Sequence, residues 1–423
     1  MSAKPLREIT YPMLTLKERD RRFELTRKFM DTHGLDVLVL TGGGGRILRH
    51  WCINQFYLSN EPDGQGAIVV FPRHSPPVLF LLRTQWGSVQ HFVNIGIEPW
   101  IADFRLSEPG SVECISSVLR DRKLQNGRAG VVSAAGEGRF GSLAEPLWQA
   151  VQAQFPGLKS IDVAAAFTVA TLAKSDEELE LARAAGRAAE NAGAALVDAA
   201  GEGVSEIELY AAAAEQFARG GVDDYVFMMV VADEMAGLGY GQPRWLFPHR
   251  QPRKLKAGDV VMAEFFPVYG GIDTQMQVCL SVGEPSKRTR HIADVTRASY
   301  DAGVAALKPG VTFESVWKAM QEPVFAAGCW DWDPFVHSLP MQLLGPMHTK
   351  LKGRTDVHES LRNLEAWPAP NAGNAVILEK GMLFAVEPGA ALGDDRILLG
   401  NLCAVTKDGS EELTTFGSKL HVV

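Results

Sequence analysis

Two strand-like segments with the same internal spacing constrain the fold of this chain more than any other feature. Leu255–Glu264 and Leu378–Glu387 each contain a Leu, a Gly three positions later, an apolar run, and a Glu six positions after the Gly. Side chains alternate between the two faces of a strand, so both glutamates have the same orientation relative to their turns. One such Glu alone is typical of an exposed strand end. Two glutamates with the same spacing predict a shared pocket, because a single buried carboxylate without a partner would cost folding free energy.

The segments that precede these two strands also resemble each other. Residues 195–208 and 306–315 each contain the end of a helix, a Gly turn, and a Ser or Thr that caps the next helix. The repeating unit is two helices followed by strands, roughly 110 to 130 residues long. It predicts a domain with pseudo-twofold symmetry, whose halves bring Glu264 and Glu387 together.

The first part of the chain has a different pattern, in which single strands alternate with helices. The predicted helices are 16–32, 111–122 and 143–154, and the predicted strands are 36–40, 66–71, 77–82 and 129–133. A capping box at Ser175–Glu178 then begins a long Ala-rich helix. The predicted fold class is α/β (α+β), with an N-terminal mixed α/β domain at residues 1–165 and a pseudo-twofold C-terminal domain at residues 166–423.

Composition limits the possible partners and the compartment. The 423 residues have a formal net charge of −8, which argues against a nucleic-acid partner. The five cysteines contain no CxxC pair, the first residues are polar rather than signal-like, and no run of about 18 apolar residues occurs. We therefore expect a cytoplasmic protein with no membrane partner.

Three motifs give the chain a family resemblance. They are Lys174–Glu178, the strand after Gly258 with its downstream Gly271, and the segment Gly381–Gly389. Together they resemble the pita-bread family of creatinases, prolidases and aminopeptidase P, across essentially the whole chain. The resemblance implies a creatinase-type N-terminal domain, a pita-bread catalytic domain and a homodimer acting on a small molecule. It also implies that the Trp51 region reaches the partner's site.

Peptidases of this family bind two metal ions through Asp, Asp, His, Glu and Glu. The resemblance places these ligands, in order, at Glu264, Gln275, His337, Glu387 and Gly400. A dinuclear site needs bridging carboxylates to offset its charge, and a neutral Gln and a Gly supply none. We therefore expect no metal and no cofactor. A single ion held by Glu264, His337 and Glu387, with Asp273 nearby, remains an alternative.

The segment Phe265–Pro267 followed by Gly271 is similar to creatinase in particular. By that resemblance a His base activates water while carboxylates hold the substrate. The predicted catalytic residues are His249, His337, Glu387 and Glu264. Either His has a structural alternative, because a buried imidazole bonded to a carbonyl and a surface-loop His are both common.

Eight further residues are predicted to contact the substrate. Gln side chains can orient an amide or a carboxylate, Trp faces can hold a cation or a flat ring, and Arg can bind a carboxylate through two hydrogen bonds. Ordinary packing is the alternative for the Trp residues. The predicted substrate-binding residues are Gln275, Gln277, Asp273, Trp245, Trp330, Trp332, Arg244 and Trp51.

The predicted function follows from the resemblance and from the altered ligand positions. It is a metal-independent hydrolase of a C–N bond in a small molecule, of the creatinase or ectoine-hydrolase type. A lyase that abstracts a proton, with one metal ion or none, is the first alternative. A non-catalytic pita-bread binding protein is the second.

Overall fold

The computed structural model describes residues 11–41, 53–61, 67–133, 145–222, 224–231, 251–331, 334–339, 373–393 and 395–423. These residues form two compact units. One contains Met13–Thr171, and the other contains Leu172–Val423 together with Tyr11 and Pro12. The sequence places the division near residue 165. The short helix at that point belongs to the first unit because Phe167 is buried in that unit's core.

The first unit has a six-stranded mixed sheet with helices around it. Its elements are α1 (Leu16–His33), β1 (Val37–Thr41), α2 (Ile53–Ser59), β2 (Ile68–Pro72), β3 (Val78–Leu81), α3 (Arg83–Asn94), β4 (Asp103–Leu106), α4 (Ser111–Asp121), β5 (Arg128–Ser133), α5 (Glu145–Gln154), β6 (Lys159–Asp162) and α6 (Ala164–Ala170). The strand order is β4-β3-β2-β1-β5-β6. The central strand β1 is antiparallel to β2 and parallel to β5. Its apolar run is buried on both faces, as such a position requires.

A buried ion pair lies on α1 of this unit. Glu18 accepts hydrogen bonds from Arg21 and Arg22, and the Arg22 guanidinium lies 4.4 Å from the ring centre of Tyr57. Burial raises the pKa of Glu18, but the hydrogen bonds and charges of the two arginines outweigh it and lower the pKa to about 2. Glu18 is therefore a charged residue of the folded interior.

The second unit contains two successive sets of paired helices followed by strands. The first set is α7 (Asp176–Ala199), α8 (Glu206–Gly220), β7 (Asp224–Val231), β8 (Val260–Tyr269), β9 (Ile272–Asp273) and β10 (Met276–Ser281). The second set is α9 (Lys287–Ala306), α10 (Phe313–Ala326), β11 (Val336–Ser338), β12 (Leu383–Val386), β13 (Gly389–Leu392), β14 (Asp395–Leu398), β15 (Asn401–Val405), β16 (Ser410–Glu412), a 3₁₀ helix (Phe416–Ser418) and β17 (Leu420–Val422). The main sheets run β17-β10-β8-β7 and β11-β12-β15-β16, while β13 pairs with β14.

The main chain repeats the sequence duplication in detail. The N–H of Leu255 donates to the turn at 203–204 at 2.8 Å, and its carbonyl accepts from that turn at 2.9 Å. Leu378 makes the same two bonds, at the same distances, with the turn at 310–311. Each half therefore joins the turn before its second helix to the segment that leads into its Glu-bearing strand in the same way, as the pseudo-twofold prediction requires.

The second unit has two hydrophobic clusters, one formed mainly by each half. Leu196, Phe217 and Phe265 belong to the core of the first half, whereas Trp317 and Phe384 belong to that of the second. Among the helices that the structure describes, none combines the length and apolarity needed to span a membrane.

Candidate active site

Five buried polar residues come together where strands of the two halves meet. Glu264 lies within β8, and Gln277 lies directly opposite it on β10. Gln275 immediately precedes β10, Glu387 immediately follows β12, and His337 lies on β11 beside β12. All five side chains are at least 96% buried: Glu264, Gln275, Gln277, His337 and Glu387.

Four hydrogen bonds link the two glutamates through the two glutamine amides. Gln275 Nε2 donates to Glu264 Oε1 and to Glu387 Oε2. Gln277 Nε2 donates to the same two oxygens, at 2.9 Å to Glu264 Oε1. Two nitrogens and two oxygens thus alternate in a closed ring, called here the amide ring. A primary amide has two N–H bonds, so both amides use all their donors within it.

His337 contacts the amide ring through Glu387. Its Nδ1 lies 3.0 Å from the carbonyl oxygen of Ser338, and its Nε2 lies 2.9 Å from Glu387 Oε1. A carbonyl oxygen can only accept, so Nδ1 carries hydrogen and Nε2 of a neutral imidazole does not. The contact between Nε2 and a carboxylate oxygen therefore requires one proton, held either on His337 or on Glu387.

Gly400 lies against the amide ring at a place where no side chain fits. A Cβ on Gly400 would lie 2.0 Å from Gln277 Oε1 and 2.9 Å from the Cα of Glu387. The main chains of Gln277 and Gly400 are also joined, because the Gln277 N–H donates to the Gly400 carbonyl at 3.0 Å. The Gln277 side chain thus fills the space that a side chain at residue 400 would need.

Behind Gly400 lies a buried polar network that the sequence analysis did not identify. Asn401 accepts hydrogen bonds from Gly417 N–H at 3.0 Å and from the Thr414 hydroxyl at 3.2 Å. Its amide donates to Tyr300 Oη at 3.0 Å, and Tyr300 donates to Glu412. Burial raises the pKa of Tyr300, which keeps this hydroxyl protonated. An Asn that begins a strand of apolar residues is the only sequence signal of this network.

Two of the remaining predicted site residues, Asp273 and Trp330, lie within the part of the chain that the structure describes. Asp273 is buried on β9, and Trp330 belongs to the hydrophobic core, where its main chain exchanges two hydrogen bonds with Ala391 at 2.9 Å. This environment is the ordinary packing that was the alternative for Trp330. The other predicted site residues lie outside the residues that the structure describes: His249, Trp245, Arg244, Trp332 and Trp51.

Solved structures with the same architecture define the fold class. Dipeptidase PepE from Mycobacterium ulcerans matches with a TM-score of 0.71 and 19% identity, covering 97% of this chain and 99% of that chain. The X-Pro aminopeptidase from Thermotoga maritima matches with a TM-score of 0.70 and 19% identity, covering 95% and 99%. Two repeated halves that meet at a buried polar centre, together with these matches, define a pita-bread protein.

The sequence comparison identifies the family. The model of metallopeptidase family M24 matches residues 180–407, more than half of the chain, so this protein belongs to that family. The uncharacterized peptidase YqhT of Bacillus subtilis is 26% identical over 323 residues, which are 74% of this chain and 84% of that protein. The Xaa-Pro dipeptidase of Lactobacillus delbrueckii subsp. lactis is 26% identical, over 65% of this chain and 69% of that protein.

These comparisons correct the function predicted from the sequence. The prediction of a metal-independent hydrolase of the creatinase or ectoine-hydrolase type is wrong, because the matching family is one of metallopeptidases and the relatives are named as peptidases. The lyase and the non-catalytic alternatives gain no support from them. The coarser prediction, an enzyme that hydrolyses C–N bonds, is supported. Altered ligand positions alone do not identify a subgroup of the family.

The side chains present do not fit the dinuclear metal centre that the family name implies. Of the five ligand positions, Gln275 offers an amide and Gly400 offers no side chain. The Gln275 and Gln277 N–H groups are directed at Glu264 and Glu387, the oxygens that cations would need. In the part of the chain that the structure describes, no cluster of three or more His, Cys, Asp or Glu side chains is arranged to hold a metal ion. No catalytic step is therefore assigned to a metal.

Proposed function

We propose that this protein hydrolyses the amide C–N bond of short peptides in the pocket around the amide ring. Two observations support the proposal. The M24 match at residues 180–407 includes every residue of the pocket, and the relatives described above are named as peptidases. The observation that carries the proposal is the buried contact between His337 and Glu387, which holds a proton next to the amide ring.

This proton has a defined use in amide hydrolysis. Water adds a hydroxyl to the carbonyl carbon and a proton to the nitrogen, which then leaves as an amine. Nitrogen is a poor leaving group until it receives that proton, so a positioned proton donor accelerates the step. The proton between His337 Nε2 and Glu387 Oε1, 2.9 Å apart, lies in a site from which bulk water is largely excluded. We assign its delivery to the departing nitrogen to this pair.

Dipeptides with Pro in the second position are the first substrates to test. The relatives include enzymes named Xaa-Pro dipeptidases, from Lactobacillus helveticus and Lactobacillus delbrueckii subsp. lactis among others. We propose the same substrate class for this chain. A panel of Xaa-Pro dipeptides, with Xaa-Ala dipeptides of matched Xaa as controls, is incubated with the purified protein, and free amino acids are quantified by chromatography. Each assay is repeated with added Mn²⁺, Co²⁺ or Zn²⁺, because the family is described as metallopeptidases.

The variant Glu387→Gln tests the assigned residues. It keeps the shape of the side chain but removes the acceptor for the His337 proton, so turnover of any accepted dipeptide is expected to fall at least about 100-fold. Glu379→Gln, an exposed site on the same segment, is the matched control and is expected to keep full activity. Equal activity of both variants would remove Glu387 from the mechanism. Failure of the whole panel, with and without metal, would contradict the proposed function.

A further inference from the structure

We propose that the amide ring takes the place of metal ions between Glu264 and Glu387, and that Gln277 and Gly400 form a matched pair that keeps it closed. The inference goes beyond the proposed function, because it concerns what holds the two carboxylates together and not which bond is cut. The side-chain donors of this site do not match the metal centre that the family name implies.

The charges of Glu264 and Glu387 must be offset for the two side chains to lie close together. Glu264 Oε1 and Glu387 Oε2 each accept from the same two nitrogens, so the two buried carboxylates lie close together. Like charges at such a distance repel strongly in a buried site unless positive charge lies between them. In the amide ring, four polarised N–H bonds supply that positive charge, and every one of them is used. Divalent cations would have to displace both amides to reach the oxygens.

The Gln277 side chain occupies the space beside Gly400. Gln277 Oε1 occupies the position that a Cβ of residue 400 would take, with 2.0 Å between them. The Gln277 side chain can leave that position only by giving up its bonds to Glu264 and Glu387. The Glu387 Cα, at 2.9 Å from the same Cβ, is main chain and cannot turn aside. A side chain at residue 400 and a closed amide ring are therefore mutually exclusive.

The amide oxygens of Gln275 and Gln277 accept no hydrogen bond within the amide ring. Gln275 Oε1 and Gln277 Oε1 are buried, and neither has a hydrogen-bond partner among the described residues. Such an acceptor is costly. Turning either amide over would place its oxygen against the carboxylate oxygens, which repel it, and would leave the N–H groups without acceptors, so the orientation shown is the favourable one. The attraction between the N–H groups and the carboxylates outweighs the cost of the leftover oxygens.

A double-mutant cycle tests the matched pair. Gly400→Ala in the wild type is expected to lower the midpoint of thermal unfolding by roughly 5 °C or more, because the new Cβ meets Gln277. In the Gln277→Ala background the same change is expected to cost less than about half of that, because its principal obstacle is gone. Equal shifts in the two backgrounds would overturn the pairing. If Gly400→Ala does not fold, its rescue by Gln277→Ala gives the same support.

Metal content provides an independent test. The purified wild type is dialysed against excess Mn²⁺, Co²⁺ or Zn²⁺, then against metal-free buffer, and analysed for its elements. Glu264→Gln/Glu387→Gln is the control for adventitious binding elsewhere. Wild type and control are expected to retain equal amounts, with a difference below about a tenth of an equivalent. Retention of one or two equivalents by the wild type, lost in the control, would overturn the proposal whether or not any peptide is cleaved.

Opening the amide ring is expected to restore metal binding. The variant Glu264→Asp/Gln275→Asp/Gln277→Ala/Gly400→Glu removes both amides and adds carboxylates at the two ligand positions that lack one. It is expected to gain at least one equivalent of Mn²⁺ or Co²⁺ over the wild type. The same variant with Gln277 retained is expected to gain less, because the Gln277 side chain blocks residue 400. Equal gain with and without Gln277 would contradict its role.

Discussion

At the scale of single residues, Gln275 shows how a neutral side chain supports two buried carboxyl groups. Its amide lies between Glu264 and Glu387 and donates to both. Hydrogen bonds to charged groups contribute more than those between neutral groups, and losing one partner leaves a buried carboxylate incompletely satisfied. We therefore expect position 275 to be more sensitive to a change of charge than to a change of size.

Gln275→Glu is the sharpest test of this point. It keeps the size of the side chain, removes both N–H donors and adds a third carboxylate, so it is expected to destabilise the protein by about 3 kcal/mol at pH 7. The loss should diminish as the pH falls, because protonation of one of three crowded carboxylates returns a donor and removes a charge. Urea unfolding of the full chain at several pH values measures it.

The control for this test is Gln154→Glu, at an exposed position on α5. Its stability is expected to remain within about 0.5 kcal/mol of the wild type at every pH. A pH-independent loss at Gln275 would show that packing, and not charge, is what that side chain provides.

The sequence could predict which residues form the site more readily than it could predict their bonds. The equal spacing of Glu264 and Glu387 from their Gly turns indicated a common pocket, and the structure brings the two side chains to the same pair of amides. The sequence could not indicate the amide ring or the conflict at Gly400, because both depend on distances between strands far apart in the chain. The prediction of a metal-independent hydrolase of the creatinase type was a different error, because altered ligand positions alone do not identify a subgroup of the family.

At the scale of elements, the two halves share a turn that only Gly adopts readily. Gly258 and Gly381 occupy equivalent positions and have φ angles of 87° and 92°. This region disfavours any residue with a Cβ. The surroundings of the two turns differ, because a Cβ on Gly258 would meet nothing within 4 Å, whereas one on Gly381 would lie 2.3 Å from the Lys174 carbonyl oxygen.

The duplicated turn therefore provides a matched pair of variants. Gly258→Ala is expected to cost about 1 kcal/mol, which is the strain of the backbone angle alone. Gly381→Ala is expected to cost at least about 3 kcal/mol, because the collision with main chain at Lys174 adds to that strain. Urea unfolding of both variants measures the difference. Equal costs would show that the contact at Lys174 relaxes freely.

Helices and strands with a regular apolar pattern or a helix-capping residue were predictable from the sequence. Short elements of mixed polarity were not. The sequence predicts α1, β1, β2, β3, α4, β5 and α5 to within about two residues of their observed ends. It does not predict β4 or β6, whose four residues are only partly buried or exposed and so lack an apolar run. It also does not predict α3, which begins after Leu82 without a Ser, Thr, Asp or Asn cap.

At the scale of the whole molecule, the two compact units use buried charge in different ways. In Met13–Thr171 the Glu18 carboxylate is balanced by arginines, whereas in Leu172–Val423 the carboxylates of the site are held by amides. An arginine stays charged at every pH at which the protein is folded. The pH response of this ion pair therefore follows the protonation of Glu18.

The sign of that response follows from the lowered pKa of Glu18. Its pKa is about 2 in the folded state, compared with an ordinary value of 4.5. The contribution of Glu18 to stability is therefore fully present above about pH 4.5, and it is lost as the pH falls towards 2. Glu18→Gln is expected to destabilise the first unit by roughly 2 to 4 kcal/mol at pH 7, because Arg22 is left buried without its carboxylate.

Hydrogen exchange resolved by peptide measures this loss in each unit separately. Exchange in α1 is expected to accelerate in Glu18→Gln at pH 7, and peptides from Leu172–Val423 are expected to remain as in the wild type. Glu24→Gln, at an exposed position of the same helix, is the control and is expected to change neither unit. If Glu24→Gln has the same effect as Glu18→Gln, the burial of Glu18 is not what matters.

The absence of a Cβ at Gly400 has a consequence for how the site can change. If only position 400 acquires a carboxylate, that side chain collides with Gln277; if only Gln277 is shortened, two buried glutamates lose donors. Each single step is therefore expected to be less stable than the wild type, and less stable than the double change once a bound cation offsets the added carboxylate, which is sign epistasis between the two codons. A mutagenesis library that randomises only position 277 or only position 400 would contain only the less stable single variants. Libraries that vary codons 277 and 400 together also contain the double variants, in which residue 400 has room for a carboxylate.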